Sequence, residues 1–157
     1  MTTIRSATAV DSIEWRRMRH ALWPDGSLAQ HQQEIDRYFS GDRREPAEVL
    51  LALNADAAVV GFAELSIRNI VDACSTDRVA YLEGWYVGPE SRRNGIGRAL
   101  MRAAEQWAAR QGCTEFGSDS DIDNDVSHAA HLRLGFEETG RVRTFRKKLY
   151  ADDQNVA

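Results

Sequence analysis

Cysteine is scarce in this sequence: Cys74 and Cys113 are its only two, and neither belongs to a C-x-x-C pair. A disulfide framework or a zinc knuckle therefore has no basis, and reduced thiols fit the cytoplasm. Long apolar runs are missing too. No stretch approaches the ~20 residues of a membrane-spanning helix, and Met1-Thr2-Thr3-Ile4-Arg5 lacks the apolar segment of a secretory signal. A soluble, unprocessed cytoplasmic protein is expected. Positive charge is not in excess, since 20 basic residues stand against 24 acidic ones. The net charge of -4 argues against nonspecific nucleic-acid binding and leaves room for a cationic ligand. Repeats and low-complexity linkers are absent, so one domain over 1–150 is expected, followed by a polar tail over 151–157.

The pattern that is present is mixed α/β. Thr3 to Ser6 is predicted as a short strand, and Thr8 with Asp11 reads as a capping box opening a first helix. A second helix is predicted over about Leu28 to Phe39, then strands over Val49 to Leu53 and Ala58 to Ile67, joined by the turn residues Asn54-Ala55-Asp56. Val79 to Val87 is a further strand, stopped by Gly88 and Pro89. Ile96, Leu100, Met101, Ala104, Trp107 and Ala108 then mark one helix face. The expected ending is a strand at Glu115 to Ser118, a helix at Asp125 to Leu134, and a closing strand pair at Phe136 to Thr139 and Val142 to Leu149.

Arg92-Arg93-Asn94-Gly95-Ile96-Gly97 stands between a strand and an amphipathic helix, where exposed N–H groups and the helix dipole favour phosphate oxygens. Gly95 and Gly97 let the backbone approach a ligand, and Arg92, Arg93 and Arg98 add charge. The loop is no P-loop, having no Gly-Lys-Ser/Thr. It is no dinucleotide fingerprint either, because Leu100 falls where glycine is required. An isolated Gly-x-Gly is usually just a loop; the strand-to-helix position is what favours a pyrophosphate cradle here.

Arg92 to Gly97 resembles the R/Q-x-x-G-x-G/A loop of the GNAT acetyltransferases, and Ala130-His131-Leu132-Arg133-Leu134-Gly135-Phe136-Glu137 resembles their late helix running into a Gly-Phe start. Leu22-Trp23-Pro24, Gly61-Phe62-Ala63, Ser66-Ile67-Arg68, Leu82-Glu83-Gly84, Ser118-Asp119, Asn124 and Leu134 to Thr139 are similar to one branch, the aminoglycoside 6'-N-acetyltransferases. The resemblance implies the GNAT fold, a central mixed and mostly antiparallel sheet flanked by helices. It implies transfer of acetyl from acetyl-CoA to the 6'-amine of aminoglycoside antibiotics, conferring resistance, and a homodimer. Acetyl-CoA would contact Trp85, Tyr86 and Val87 through their backbone, then Arg92, Arg93, Asn94, Gly95, Ile96, Gly97 and Arg98, and Asn124. Trp23, Glu83 and Asp119 would bind the cationic aminosugar, and either carboxylate would help remove the amine proton.

Each assignment has a plainer reading beside it. Trp23 at helical spacing is equally well a core residue. Glu83 lies in an otherwise apolar strand, where an unpaired buried carboxylate costs several kcal/mol, so a ligand-facing position explains it better. His131 stands where many GNAT enzymes have a tyrosine acid for the thiolate, but a lone helical histidine more often packs or faces solvent. The run Asp119, Asp121, Asp123, Asp125 does not make a calcium loop, since Asn124 and Ala130 occupy the glycine and glutamate positions; no metal site is expected. Two departures concern the acceptor: Asn69 to Ala73 lacks the tyrosine of close relatives, and Gly140 replaces an acidic residue. An acetyltransferase acting on a protein N-terminus or a small polyamine, and a noncatalytic acyl-CoA-binding module, are the alternatives.

Overall fold

The computed structural model describes residues 1–149; Tyr150 and the tail expected over 151–157 lie outside them. Five strands form one sheet in sequence order: β1 (Thr3–Ser6), β2 (Glu48–Leu53), β3 (Val59–Arg68), β4 (Val79–Val87) and β5 (Phe116–Ser118). The first three junctions are antiparallel and β4 pairs β5 in parallel. Four α-helices accompany the sheet among the described residues: α1 (Ser12–Leu22), α2 (Leu28–Phe39), α3 (Ile96–Arg110) and α4 (Asp125–Arg133). None is long and apolar enough to cross a membrane.

The uninterrupted apolar run of β2 follows from burial on both faces. Val49 and Leu51 join Trp15 and Met18 of α1 and Ile35 and Tyr38 of α2 in one cluster, while Leu50 and Ala52 pack with Leu100, Met101 and Ala104 of α3 in another. The sheet is thus the middle layer between α1/α2 and α3, and each large side chain so buried contributes roughly 1.5–3 kcal/mol. Local chemistry fixes the ends of the elements. The Asn54 side chain accepts N–H bonds from Asp56 and Ala58 to close the β2–β3 turn, and Ser27 with Gln30 caps α2 reciprocally. Asp11 accepts from the Thr8 N–H at 2.8 Å and from both Arg5 terminal nitrogens at 2.8 and 2.9 Å. These hydrogen bonds, the Arg5 pair foremost, hold its carboxyl down at about 2.

Two irregularities position the site. A β-bulge between Glu64 and Leu65 sets Glu64 opposite Gly84 and Leu65 opposite Leu82, so Glu83 has no register partner of its own. β5 pairs only with Ala80, Tyr81 and Leu82, which leaves that edge of Glu83–Val87 without a strand partner among the described residues. The closing strand pair expected over Phe136–Thr139 and Val142–Leu149 is not formed: no helix or strand follows Arg133 up to residue 149, and 137–149 is exposed throughout. A two-stranded ribbon persists only over an apolar face it can cover. Here Val142, Phe145 and Leu149 remain open to solvent, interleaved with Arg141, Arg143, Arg146, Lys147 and Lys148.

Candidate active site

The divergence of β4 from β5 opens beside the N-terminus of α3. Gly95 is the N-cap there, with φ +76° and no side chain to cap the first-turn N–H groups, so those of Ile96, Gly97 and Arg98 point out of the helix without an intrahelical acceptor. Gly97 is needed for closeness: a Cβ on it would stand 2.7 Å from Cζ2 of Trp85. The Trp85 indole N–H is buried with no acceptor. The uncapped first-turn N–H groups of α3 thus stand beside the edge of β4 that β5 leaves unpaired, which suits an anion joined to a carbonyl-bearing chain. The expected arginines divide. Arg92 donates from Nε to the Val87 carbonyl at 2.9 Å and so ties the loop to the strand; Arg93, at φ +65°, and Arg98 are exposed. Asn124 is exposed and serves as N-cap of α4, its side-chain oxygen accepting from the Ser127 N–H at 3.0 Å.

On the α1/α2 side, Glu83 and Asp119 are joined through two residues the sequence reading had not assigned. Arg68 donates to both Glu83 oxygens, at 3.0 and 2.7 Å. Its guanidinium lies 3.6 Å from the Tyr81 ring centroid, and the Tyr81 hydroxyl donates to Asp119 at 2.5 Å. Glu83 is therefore not an unpaired carboxylate facing only a ligand: it is one-fifth exposed and paired with Arg68. Burial, reinforced by the Asp119 bond and charge, raises the Tyr81 phenol well above its ordinary value. A tyrosine thus reaches this side from β4, although Asn69 to Ala73 contains none.

Trp23, at the end of α1, lies flat on Gly84; a Cβ there would come within 2.4 Å of its ring. Below it, a cavity of about 340 Å³ is lined by Arg19, Trp23, Glu34, Glu64 and Glu83 among others. Glu64 is 2% exposed; its Oε1 accepts from the Trp15 indole N–H at 2.8 Å and lies 3.0 Å from Arg19 Nε. Burial pushes its carboxyl up to about 7 against the opposing pull of Arg19 and Trp15. Glu64 and Arg19 were also missed. The signal was available, because Glu64 interrupts an apolar strand just as Glu83 does.

His131 uses both ring nitrogens within the chain. Nδ1 donates to the Ser127 carbonyl at 2.7 Å, which leaves Nε2 to accept from Ser118 Oγ at 2.8 Å, and the ring packs edge-on against Trp85 and Phe136. Among the described residues no group of three or more His, Cys, Asp or Glu is placed to hold a metal ion.

Known proteins are similar to this chain in sequence and in fold. A Klebsiella aerogenes protein named aminoglycoside N(6')-acetyltransferase type 1 is 50% identical over 146 residues, 93% of this chain and 96% of that one. The crystal structure of the aminoglycoside antibiotic 6'-N-acetyltransferase AAC(6')-Ih from Acinetobacter baumannii superposes with a TM-score of 0.86 at 38% identity, covering 96% of this chain and all of that one. AAC(6')-Iy in complex with the bisubstrate analog CoA-S-monomethyl-acetylneamine gives a TM-score of 0.86 at 33% identity, covering 95% and 99%. The model of the acetyltransferase (GNAT) family matches residues 15–136, and with relatives at these identities over nearly the whole chain, the protein belongs to that family.

Proposed function

We propose that this protein transfers the acetyl group of acetyl-CoA to the 6'-amine of aminoglycoside antibiotics in a ternary complex, and so confers resistance. One observation carries the reading: the splayed edge of β4 separates a groove of orphaned donors on the α3 side from a carboxylate-lined cavity on the α1/α2 side. The first suits a diphosphate with a pantetheine arm, the second a polycationic aminosugar. The names of the relatives support the same pair of ligands.

Acetyl-CoA supplies an activated acyl group. Its diphosphate would be held by the first-turn N–H groups of α3 with Asn94, Arg93 and Arg98 around them, and its arm by the backbone of Trp85, Tyr86 and Val87 and by Asn124. Arg92 contributes by fixing the loop to β4. On the acceptor side Trp23 provides a wall for the sugar, while Glu83 and Asp119 hold the ammonium and offer its proton a route outward. Alignment of amine and acyl carbon within a shielded groove supplies most of the acceleration.

The cytoplasm, where acetyl-CoA is available, is the proposed location, with no nucleic-acid partner at a net charge of -4. A homodimer is proposed because, among the described residues, β5 has no strand on its outer edge and the segment with Val142, Phe145 and Leu149 is exposed. Sedimentation at micromolar concentration is expected to give twice the chain mass. The function itself is tested by following CoA release with kanamycin or tobramycin. Turnover of peptides or polyamines with neither drug acetylated would replace the substrate while keeping the family.

A further inference from the structure

Of the carboxylates on the acceptor side, Glu83, Asp119 and Glu64 are not equally free. Both oxygens of Glu83 already accept from Arg68, and Asp119 accepts from Tyr81. Glu64 has donors on Oε1 only; its second oxygen receives no hydrogen bond from the described residues. Beside it Arg19 is 93% buried, being 7% exposed, and lies 5.1 Å from the Trp23 ring and 5.9 Å from the Trp15 ring. One terminal nitrogen of Arg19 pairs with Glu34 and Nε is ion-paired with Glu64 Oε1 at 3.0 Å, while the other terminal nitrogen is buried without a hydrogen-bond acceptor. Arg19 thus holds Oε1, and the remaining Glu64 oxygen is the one free to meet a ligand in the cavity that Glu64 lines with Trp23 and Glu83. A ligand ammonium satisfies it.

We propose that Glu64, at the floor of this cavity, is the carboxylate on which the acceptor's ammonium leaves its proton, with Trp15 and Arg19 holding its other oxygen in place. The proposal rests on the cavity being the acceptor site. The nitrogen loses two protons in the reaction. One passes to a Glu64 oxygen, freeing the lone pair that forms the C–N bond, and returns to solvent after product leaves. The other ends on the sulfur when the C–S bond breaks. The charges facing Glu64 are Arg19 from α1, His31, Glu34 and Arg37 from α2, Glu45 from the segment before β2, and Glu83 with its partner Arg68. Burial is the main reason its carboxyl sits at about 7, a value suited to receiving a proton near neutral pH.

The test measures kcat/KM for kanamycin against pH in the wild type, Glu64→Gln and Glu34→Gln, with circular dichroism and acetyl-CoA calorimetry on each. The wild type is expected to show a rising limb ending at about 7. Glu64→Gln should lose that limb and about 100-fold of the plateau while binding acetyl-CoA normally. Glu34 is 43% exposed and its charge raises the Glu64 carboxyl, so Glu34→Gln should move the limb to lower pH. A merely structural Glu64 would move neither limb. An unchanged limb in folded Glu64→Gln overturns the proposal. If that variant does not fold, an unmoved limb in Glu34→Gln overturns it. Absence of kanamycin turnover in the wild type instead removes the acceptor reading on which it stands.

Discussion

Arg68 and Glu83 meet at two points, Nε to Oε1 at 3.0 Å and a terminal nitrogen to Oε2 at 2.7 Å. Such a two-point pair fixes the plane of the carboxylate as well as its place. Because Arg68 also stacks on Tyr81 and Tyr81 holds Asp119, the two acceptor carboxylates are parts of one rigid array across β3, β4 and the end of β5.

Glu83→Gln keeps the volume of the side chain but removes its charge and one of the two hydrogen bonds from Arg68. A charge-assisted contact of about 2 kcal/mol is lost with the ammonium, so kcat/KM for the aminoglycoside is expected to fall roughly thirtyfold. Acetyl-CoA affinity by calorimetry should be unchanged, since the other groove does not use this side chain. Equal loss of both would contradict the role.

Tyr81→Phe deletes the hydrogen bond to Asp119 and nothing from the stack with Arg68. Loss of about 1 kcal/mol of orientation predicts a KM for the acceptor raised roughly fivefold with a nearly constant kcat. Steady-state kinetics at saturating acetyl-CoA checks the split.

Gly84→Ala places a methyl where Trp23 already lies, 2.4 Å from its Cη2. The indole must leave its seat against Phe62 and Arg19, at a cost of about 1–3 kcal/mol. A lower melting temperature and a raised acceptor KM are expected together, with tryptophan fluorescence reporting the displacement.

Gly97→Ala is the counterpart on the other face, its methyl falling 2.7 Å from Trp85. Displacing Trp85 or the first turn of α3 spoils the donors of that groove, so acetyl-CoA affinity should drop roughly tenfold, about 1.4 kcal/mol, by titration calorimetry. Acceptor binding should change much less.

Asp11→Asn tests the anchor between β1 and α1. The Asp11 carboxyl is depressed in the fold, from 3.8 to about 2, so its contribution is complete above the unfolded value and disappears as pH falls from about 4 towards 2. Arg5 is 36% exposed and solvent screens the pair, which reduces the expected loss at pH 7 to about 1–2 kcal/mol. Chemical denaturation should show that deficit at pH 7 and its closure near pH 2.

Much of the fold was legible because short-range rules govern it. The limits of α2 and β4 follow from caps and stops next to them in the chain, Ser27 with Gln30 and Gly88-Pro89. The α3 loop was legible for the same reason, since strand, glycines and helix are consecutive. The closing strands were misread: Val142, Thr144 and Phe145 are residue types that favour a strand, but pairing is decided by a neighbour that local preference does not name.

By itself, the sequence determined that a donor-rich turn precedes α3 and that carboxylates interrupt otherwise apolar strands. Tertiary structure alone decided what those carboxylates meet. The β3–β4 bulge turns Glu83 toward Arg68 and seats Glu64 between Trp15 and Arg19, contacts that span 15, 49 and 45 residues. A carboxylate's basicity depends on the charges and water within a few ångströms, and only folding brings those together.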